Sequence, residues 1–317
     1  MTAVLESRGI AAHYVPLDKL VKKKFDEKTI DQSFYDYLTE SLRVKFENRP
    51  PGISIVTGFL GPVPGSILST IGRGYTDLTA ALIAVATNAS ELQIWKEVDG
   101  IFTADPRKAP NAKLLSHISP EETAEITYYG SEVVHPFTME QVIRASIPIR
   151  IKNTFAPSHH GTVIIPQGYM TPSESQEINQ TTLDIESKKH PTAVTIKEGV
   201  IVINVLSNRK SVSHGFFEKI FSTLDAHGIV VDLISTSQVH ISMALGPTAV
   251  GDRLDAAIRD LKKYGSVDVI QDMAILSLVG KHMRNMVGIA SRMFTTLARH
   301  NINLEMISQG LFCAPDS

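Results

Sequence analysis

Cysteine is nearly absent: Cys313 stands alone among 317 residues, so no internal disulfide can form and a cysteine-built metal cluster is excluded. Neither sign of charge prevails. The 31 lysines and arginines face 33 aspartates and glutamates, a net charge of −2, which leaves no field to gather nucleic acid or an anionic membrane. No uncharged apolar run approaches the ~20 residues of a membrane helix, and the first residues lack a basic stretch followed by an apolar one. Familiar signatures are missing too. The eleven histidines form no HExxH pattern, and there is neither a GxxxxGKS/T phosphate loop nor a GxGxxG between a strand and a helix. These absences predict a soluble, cytoplasmic protein with no nucleic-acid or membrane partner and no metal site of its own.

What is present is ordinary globular composition, 43% hydrophobic and 20% charged, in a chain long enough for two or three domains with a sizeable core. Residues 1–7 read as a helix closed by Arg8 and Gly9, and 10–16 as a strand. Between Asp18 and Glu47 the residues Leu20, Phe25, Ile30, Phe34, Tyr37, Leu38, Leu42 and Phe46 recur at roughly helical spacing, broken near Glu27, and predict two helices on one face of a sheet. The run Lys22 to Lys24 reads as a solvated face. A buried strand is expected over 53–57, a turn-rich loop over 58–62, a helix over 77–87 and a strand over 92–98. Further helices follow over 120–129, capped by Ser119 and ended by Gly130, and over 138–145, with strands at 149–153 and 161–165. This succession describes an α/β unit, which places ligands at the carboxyl ends of its strands. From 167 to 190 the composition turns to Ser, Thr, Gln, Glu and Lys, a linker.

Beyond it lies an internal repeat. Residues 220–229 (IFSTLDAHGI) align with 293–302 (MFTTLARHNI), 73 positions further on. Gly228 and Asn301 share a helix-ending position, where both residue types tolerate the left-handed conformation. Strands are expected before each helix, at 200–206 and 273–279, and after it, at 230–235 and 303–308. The first copy continues through strand 239–245, helix 251–263 and strand 266–270, a βαββαβ order.

Three polar islands carry the candidate chemistry. Arg73 stands between Gly72 and Gly74 just before a helix, where a ligand can approach the backbone and the helix dipole favours an anion; its guanidinium suits a carboxylate. Thr76 can donate to the same ligand. Asp77 is either the helix cap or a charged catalytic group. In the stretch from Trp95 to Arg107, Trp95 and Phe102 offer apolar contact to a base or ribose and Arg107 offers charge to phosphates. The alternative is a turn with a partly buried tryptophan and an Asp105–Arg107 pair. The third island, Ser131 to Pro136, contains Glu132, which could meet a nucleotide, and His135, which reads more simply as a structural hydrogen-bonder.

Taken in order, VTGFLGPVPG, GRGYTD, WKEVDGIFTADPR, TYYGSEVVHP and IRIKNT resemble the fungal-type aspartate kinases over nearly the whole chain. The resemblance implies an α/β fold: a partial amino-acid-kinase α/β/α sandwich over 1–166, a polar linker over 167–192, and ferredoxin-like ACT repeats, one over 193–271 and an incomplete one over 272–317. It implies transfer of the ATP γ-phosphate, with Mg2+, to the side-chain carboxylate of L-aspartate, the first step toward threonine and methionine. By position, Arg73 would hold the substrate α-carboxylate with Gly74, Thr76 and Phe59 around it, and Asp77 would orient the reacting groups. Lys96, Glu97, Phe102, Arg107, Glu132 and Val133 would surround the nucleotide. Ser213, Gly215, Phe216, Phe217, Val231 and Asp232 resemble an effector-binding loop and strand, with Asn285, Met286 and Val287 as counterparts in the second repeat; the implied effector is threonine, with lysine as the alternative. Pairing of ACT domains into a homo-oligomer is implied as well.

Two departures accompany the resemblance. The family opens with a strand and a Lys-Phe-Gly-Gly-Thr-Ser loop that neutralises and cradles the transferring phosphate, and this sequence contains no such motif. After Gln309 and Gly310 the family continues where this sequence reads LFCAPDS. The expectation is an aspartate kinase chain short of its phosphate loop and of part of its last repeat, without turnover by itself. A non-catalytic amino-acid-binding regulatory subunit and another amino-acid kinase are the alternatives.

Overall fold

A computed structural model describes residues 1–23, 25, 32–60, 74–129, 134–166, 190–207, 215–247, 249, 251–281, 283 and 286–309. The chain divides into two compact units, Met1–Lys188 and Lys189–Ser317.

In the first unit, helix α1 (Thr2–Glu6) leads to strand β1 (Ala12–Val15), which pairs in parallel with β2 (Ile53–Val56) through Ala12–Ile53 to Val15–Val56. Helix α2 (Gln32–Glu47) lies between them in sequence and buries Phe34, Tyr35, Leu38, Leu42 and Phe46. Four of these recur every fourth residue, the stripe an amphipathic helix turns to its core. Phe25 packs edge-on against Phe34, with ring centroids 4.7 Å apart. Helix α3 (Tyr75–Ala86) packs against α2 and against α5 (Pro136–Arg144). Facing neighbours on both sides, it buries Tyr75, Leu78, Thr79, Ala81, Leu82, Ala84 and Ala86 rather than a single stripe.

A second sheet in this unit has the order β3-β5-β6-β4, formed by β3 (Leu92–Lys96), β4 (His117–Ile118), β5 (Ile149–Asn153) and β6 (Thr162–Ile164). The pairs β3–β5 and β4–β6 are parallel and β5–β6 is antiparallel. Leu92, Ile94, Ile149 and Ile151 alternate inward, as period-two strands require. Helix α4 (Pro120–Tyr129) opens on a reciprocal cap: Ser119 Oγ accepts from the Glu122 backbone N–H, and the Glu122 carboxylate accepts from the Ser119 N–H, both at 3.2 Å, the arrangement that satisfies two otherwise orphaned donors. Gly130, the expected helix end, lies outside the described residues.

Several expectations are corrected. Residues 18–23 form turns and irregular chain, not a first helix. Leu17 and Leu20 are both buried there, the Leu20 N–H closes a short turn onto the Leu17 carbonyl, and the Lys22 N–H donates to the Tyr37 hydroxyl instead of to a helical carbonyl. Strand β2 is only half covered, because among the described residues it pairs with β1 alone. Strand β3 ends at Lys96, where the Lys96 carbonyl accepts from the Thr154 N–H at 2.8 Å.

The second unit is an antiparallel sheet of order β10-β7-β9-β8, built from β7 (Ala193–Ser207), β8 (Val231–Thr236), β9 (His240–Leu245) and β10 (Gly265–Val279). Helices α6 (Phe216–Ala226) and α7 (Asp252–Leu261) supply Phe216, Ile220, Leu224, Leu254, Ala257 and Leu261 to a core shared with Ile201, Ile203, Val205, Ile241, Met243 and Leu245. The two strands expected at 266–270 and 273–279 are one strand, β10, bent at Asp272, where φ is 58° and the register against β7 shifts. The last strand of the first repeat thus runs into the first strand of the second.

Helix α8 (Ile289–Arg299) is the second copy of α6. Gly228 and Asn301 both adopt the left-handed conformation, φ 64° and 55°, and each is followed by an N–H returning to the helix, Ile229 to Leu224 and Ile302 to Leu297. The strand expected at 303–308 is not formed. In the first copy β8 is held by β9 alone, and no described residue gives the second copy a counterpart of β9. Met306 packs instead against Val200, Val202 and Ala244.

Candidate active site

The loop that leaves β2 and the first turn of α3 come together in the first unit. Gly58 has no room for a side chain: a Cβ there would stand 2.5 Å from Thr76 Cγ2. Thr79 Oγ1 lies 2.8 Å from the Gly58 carbonyl oxygen, and Thr57 Oγ1 accepts the Leu17 N–H at 3.3 Å. On the other side, a Cβ on Gly74 would stand 2.7 Å from that of His135, so the residue ahead of α5 abuts the start of α3. The Tyr75 hydroxyl is buried, which pushes its pKa above the ordinary phenol value, and it stays protonated.

Gly74 is the N-cap of α3, with no side-chain cap bond, and Asp77 is an acidic residue inside its first turn. The alternative of Asp77 as N-cap is therefore corrected: its carboxylate lies within the turn, where the helix dipole favours it. Thr76 is exposed, Asp77 half-exposed and Phe59 exposed beside them. Four of the proposed substrate and catalytic residues, Phe59, Gly74, Thr76 and Asp77, are thus carried by two segments held in contact. Arg73 lies outside the described residues.

Of the residues suggested for a nucleotide, the described ones lie at the carboxyl end of β3, beside that of β5, and in the excursion that follows. Lys96 closes β3 opposite Asn153 in the register. Asn153 Nδ2 donates to Asp99 Oδ1 at 2.8 Å. Trp95 is 44% exposed, and the Lys152 ammonium stands 5.0 Å from its ring centroid, within cation–π range. Glu97 is exposed. Phe102 is half-buried and bridges to Leu114 at the base of the excursion. Arg107 sits among the turns beyond it and forks onto Asp105, Nε to Oδ1 at 3.1 Å and Nη2 to Oδ2 at 2.9 Å. This hydrogen-bonded guanidinium holds the Asp105 carboxyl below its ordinary pKa. The Asp105–Arg107 pair of the alternative is therefore present, and it leaves further N–H donors of the exposed Arg107 guanidinium facing outward. Glu132 and Val133 lie outside the described residues.

Of the suggested effector residues, Gly215 is the N-cap of α6 with φ 82°, Phe216 is buried and Phe217 exposed. Val231 opens β8, and Asp232 follows it at a register shift against β9. The Asp232 carboxylate pairs with the Lys197 ammonium of β7 at 2.6 Å. Ser213 and Asn285 lie outside the described residues. Met286 and the exposed Val287 precede Gly288, the N-cap of α8 with φ 83°, so the structural counterpart of Gly215 is Gly288.

Sequence reasoning did not single out Gly58, Thr79, Lys152, Asn153 or Lys197. Lys152 and Asn153 lie in a motif it used, IRIKNT. Thr79 and Lys197 carried no signal beyond periodicity, because their partners are distant in sequence.

Comparison with known proteins gives a consistent result. The model of the amino acid kinase family matches residues 1–153 and that of the ACT domain matches 276–311. The chain is 52% identical over 322 aligned residues to aspartokinase of Saccharomyces cerevisiae, covering 98% of this chain and 61% of that protein. It is 51% identical to aspartokinase of Schizosaccharomyces pombe, with the same two coverages. Among solved structures, Escherichia coli aspartokinase III in complex with aspartate and ADP superposes with a TM-score of 0.71 at 27% identity, over 97% of this chain and 66% of that one. The chain thus spans about three fifths of the length of the curated relatives it matches.

Proposed function

The chain belongs to the aspartokinase family, and from that premise we propose that it forms part of an aspartate kinase, transferring the γ-phosphate of ATP to the side-chain carboxylate of L-aspartate to give 4-phospho-L-aspartate. The observation that carries this reading is the junction of the 57–60 loop with the first turn of α3. There Gly58, next to Phe59, closes onto Thr76, and Gly74, Thr76 and Asp77 form the start of α3, whose N-cap carries no side-chain bond, a setting that favours a carboxylate. Phosphoryl transfer asks mainly for positioning and charge neutralisation. Thr76 and Phe59 line the aspartate, Arg73 grips its α-carboxylate, and Asp77 orients the reacting groups.

ATP is the co-substrate, approached by Lys96, Glu97, Phe102, Arg107, Glu132 and Val133. Mg2+ enters with its phosphates, since one or two carboxylates plus phosphates suffice for that ion. The region 1–166 is the catalytic part, 167–192 the linker, and 193–271 and 272–317 the regulatory repeats. Threonine binds at Ser213, Gly215, Phe216, Phe217, Val231 and Asp232, with Asn285, Met286 and Val287 serving the second repeat. The repeats pair in a cytoplasmic homo-oligomer that opens threonine and methionine synthesis. A polypeptide of these 317 residues alone contains no Lys-Phe-Gly-Gly-Thr-Ser sequence, and loss of such preorganised charge costs several kcal/mol of transition-state stabilisation; it binds aspartate without turning it over.

A second reading, an amino-acid-binding regulatory subunit without catalysis of its own, is favoured by the complete antiparallel sheet and buried core of the second unit. Calorimetric titration with L-aspartate, L-glutamate, Mg-ATP, L-threonine and L-lysine, together with a coupled assay for ADP release, tests both. Selective aspartate and Mg-ATP binding supports the kinase reading. Failure to bind either, with retained binding of threonine or lysine, replaces it by the regulatory one.

A further inference from the structure

Thr79 is 2% exposed and sits on the second turn of α3. Its Oγ1 has two carbonyl oxygens in reach, that of Gly58 at 2.8 Å and that of Tyr75 at 3.1 Å. A hydroxyl has one proton to donate, so the two carbonyls compete for it. The bond to Tyr75 is the back-bond to residue i−4 that a helical threonine ordinarily makes. The bond to Gly58 crosses 21 residues of sequence and ties the loop after β2 to the helix.

We propose that Thr79 is a positioning residue that latches Gly58, and the adjacent Phe59 with it, onto the turn carrying Thr76 and Asp77, its hydroxyl passing to the Tyr75 carbonyl when Gly58 lifts. This rests on the reading of Phe59, Thr76 and Asp77 as the aspartate pocket. Three features support it. The hydroxyl is buried, so it must keep a partner in either state, and the helix supplies one without rearrangement. Gly58 is only half-buried, so its carbonyl can turn to water when released. Gly58 also closes to the Thr76 methyl with no space for a Cβ, so the latched loop and the substrate-side face of the first turn are in direct contact. Release of the Gly58 carbonyl therefore exchanges one Thr79 hydrogen bond for another, while Leu60, 1% exposed in the core, stays anchored by its side chain. A valine at position 79, matching threonine in shape, removes the latch and leaves the packing.

The test uses the 317-residue chain with Thr79→Val and Thr79→Ser. Amide hydrogen exchange of the parent, read residue by residue, is compared at Phe59 and Leu60 and at Leu82 to Ala86 in the distal half of α3. Thr79→Val is expected to speed exchange at Phe59 and Leu60 about fivefold, the loss of one net hydrogen bond, while Leu82 to Ala86 keep parental rates; Thr79→Ser is expected to match the parent. The dissociation constant for L-aspartate should rise by a similar factor in Thr79→Val and recover in Thr79→Ser. Unchanged exchange at Phe59 and Leu60, or equal acceleration along the whole of α3, overturns the latch. If the parent itself binds no aspartate, the pocket reading fails while the exchange comparison still decides the latch. Should Thr79→Val not fold, Thr79→Ala serves as the hydroxyl-free variant under the same criteria.

Discussion

Lys197 Nζ lies 2.6 Å from Asp232 Oδ2, linking β7 to the start of β8, with side chains 22% and 7% exposed. Gly246 closes the site: a Cβ there would stand 3.0 Å from the Asp232 carboxylate and 3.4 Å from the lysine nitrogen. An ion pair this enclosed does little net work when intact but is costly to halve, because the remaining charge stays in a poorly solvated place. Lys197→Met is expected to destabilise the second unit by about 3 kcal/mol, measured by urea denaturation. Replacing both partners, Lys197→Met with Asp232→Leu, should recover most of that loss. A single substitution within about 0.5 kcal/mol of the parent would mean that the carboxylate is held by other groups.

Gly58 offers a probe of the proposed aspartate pocket that leaves every polar group in place. In Gly58→Ala the new methyl meets Thr76 Cγ2, so loop and helix must part by a few tenths of an ångström or more. The expected result is aspartate affinity lowered on the order of tenfold, as small displacements of positioning elements cost binding, with nucleotide affinity unchanged. Equal loss for both ligands would point to general disruption of the first unit.

Asp260 contributes to the pH dependence of the second unit. Its carboxylate accepts from Lys263 at 2.7 Å and lies 2.9 Å from His227 Nε2, and hydrogen bonds from Lys263 and then His227 hold its pKa below the ordinary value. A carboxyl whose pKa is lower folded than unfolded contributes stability above the unfolded value and loses it as pH falls through the folded one. Asp260→Asn should therefore cost stability at neutral pH, and the difference from the parent should shrink on acidification through the ordinary carboxylate range and vanish below the folded-state value. Denaturation midpoints across that range provide the measurement; a constant difference throughout would show that the ionised form is not what matters.

Much of the fold could be read from the chain because its signals are local. Ser119 announced a cap, Phe34, Leu38, Leu42 and Phe46 a helix face, and Gly228 with Asn301 a repeated helix end. The motifs VTGFLGPVPG and GRGYTD marked Phe59, Thr76 and Asp77 as neighbours by resemblance, and Gly58, next to Phe59, meets Thr76 and Thr79 of the helix. What could not be read depends on partners far along the sequence. Leu20 and Phe25 look helical by spacing, yet the Lys22 N–H finds the Tyr37 hydroxyl. Arg107 offers charge to a phosphate by sequence, and whether it instead pairs with Asp105, as it does, could not be decided there. Residues 303–308 carry strand composition without a described ladder partner, and composition alone does not make a strand.

The repeat reaches into backbone conformation, which yields a last prediction. Gly199 and Asp272 are 73 positions apart, and both are left-handed, φ 70° and 58°, at the bends of β7 and β10 where the register between these strands shifts. A Cβ on Gly199 would meet nothing closer than Pro247 Cβ at 3.4 Å, an ordinary contact, so the obstacle to a side chain there is conformational. Gly199→Ala should destabilise the unit by about 1–2 kcal/mol, the cost of left-handed backbone for an L-residue. At position 272 aspartate tolerates the conformation better than alanine does, because its short polar side chain can bond locally. The expected order of stability is Asp272→Gly at or above the parent and Asp272→Ala below it, read from denaturation midpoints of the second unit. If Asp272→Gly were instead the least stable of the three, the aspartate would be held by its side chain rather than by the bend, and the equivalence with Gly199 would be geometric only.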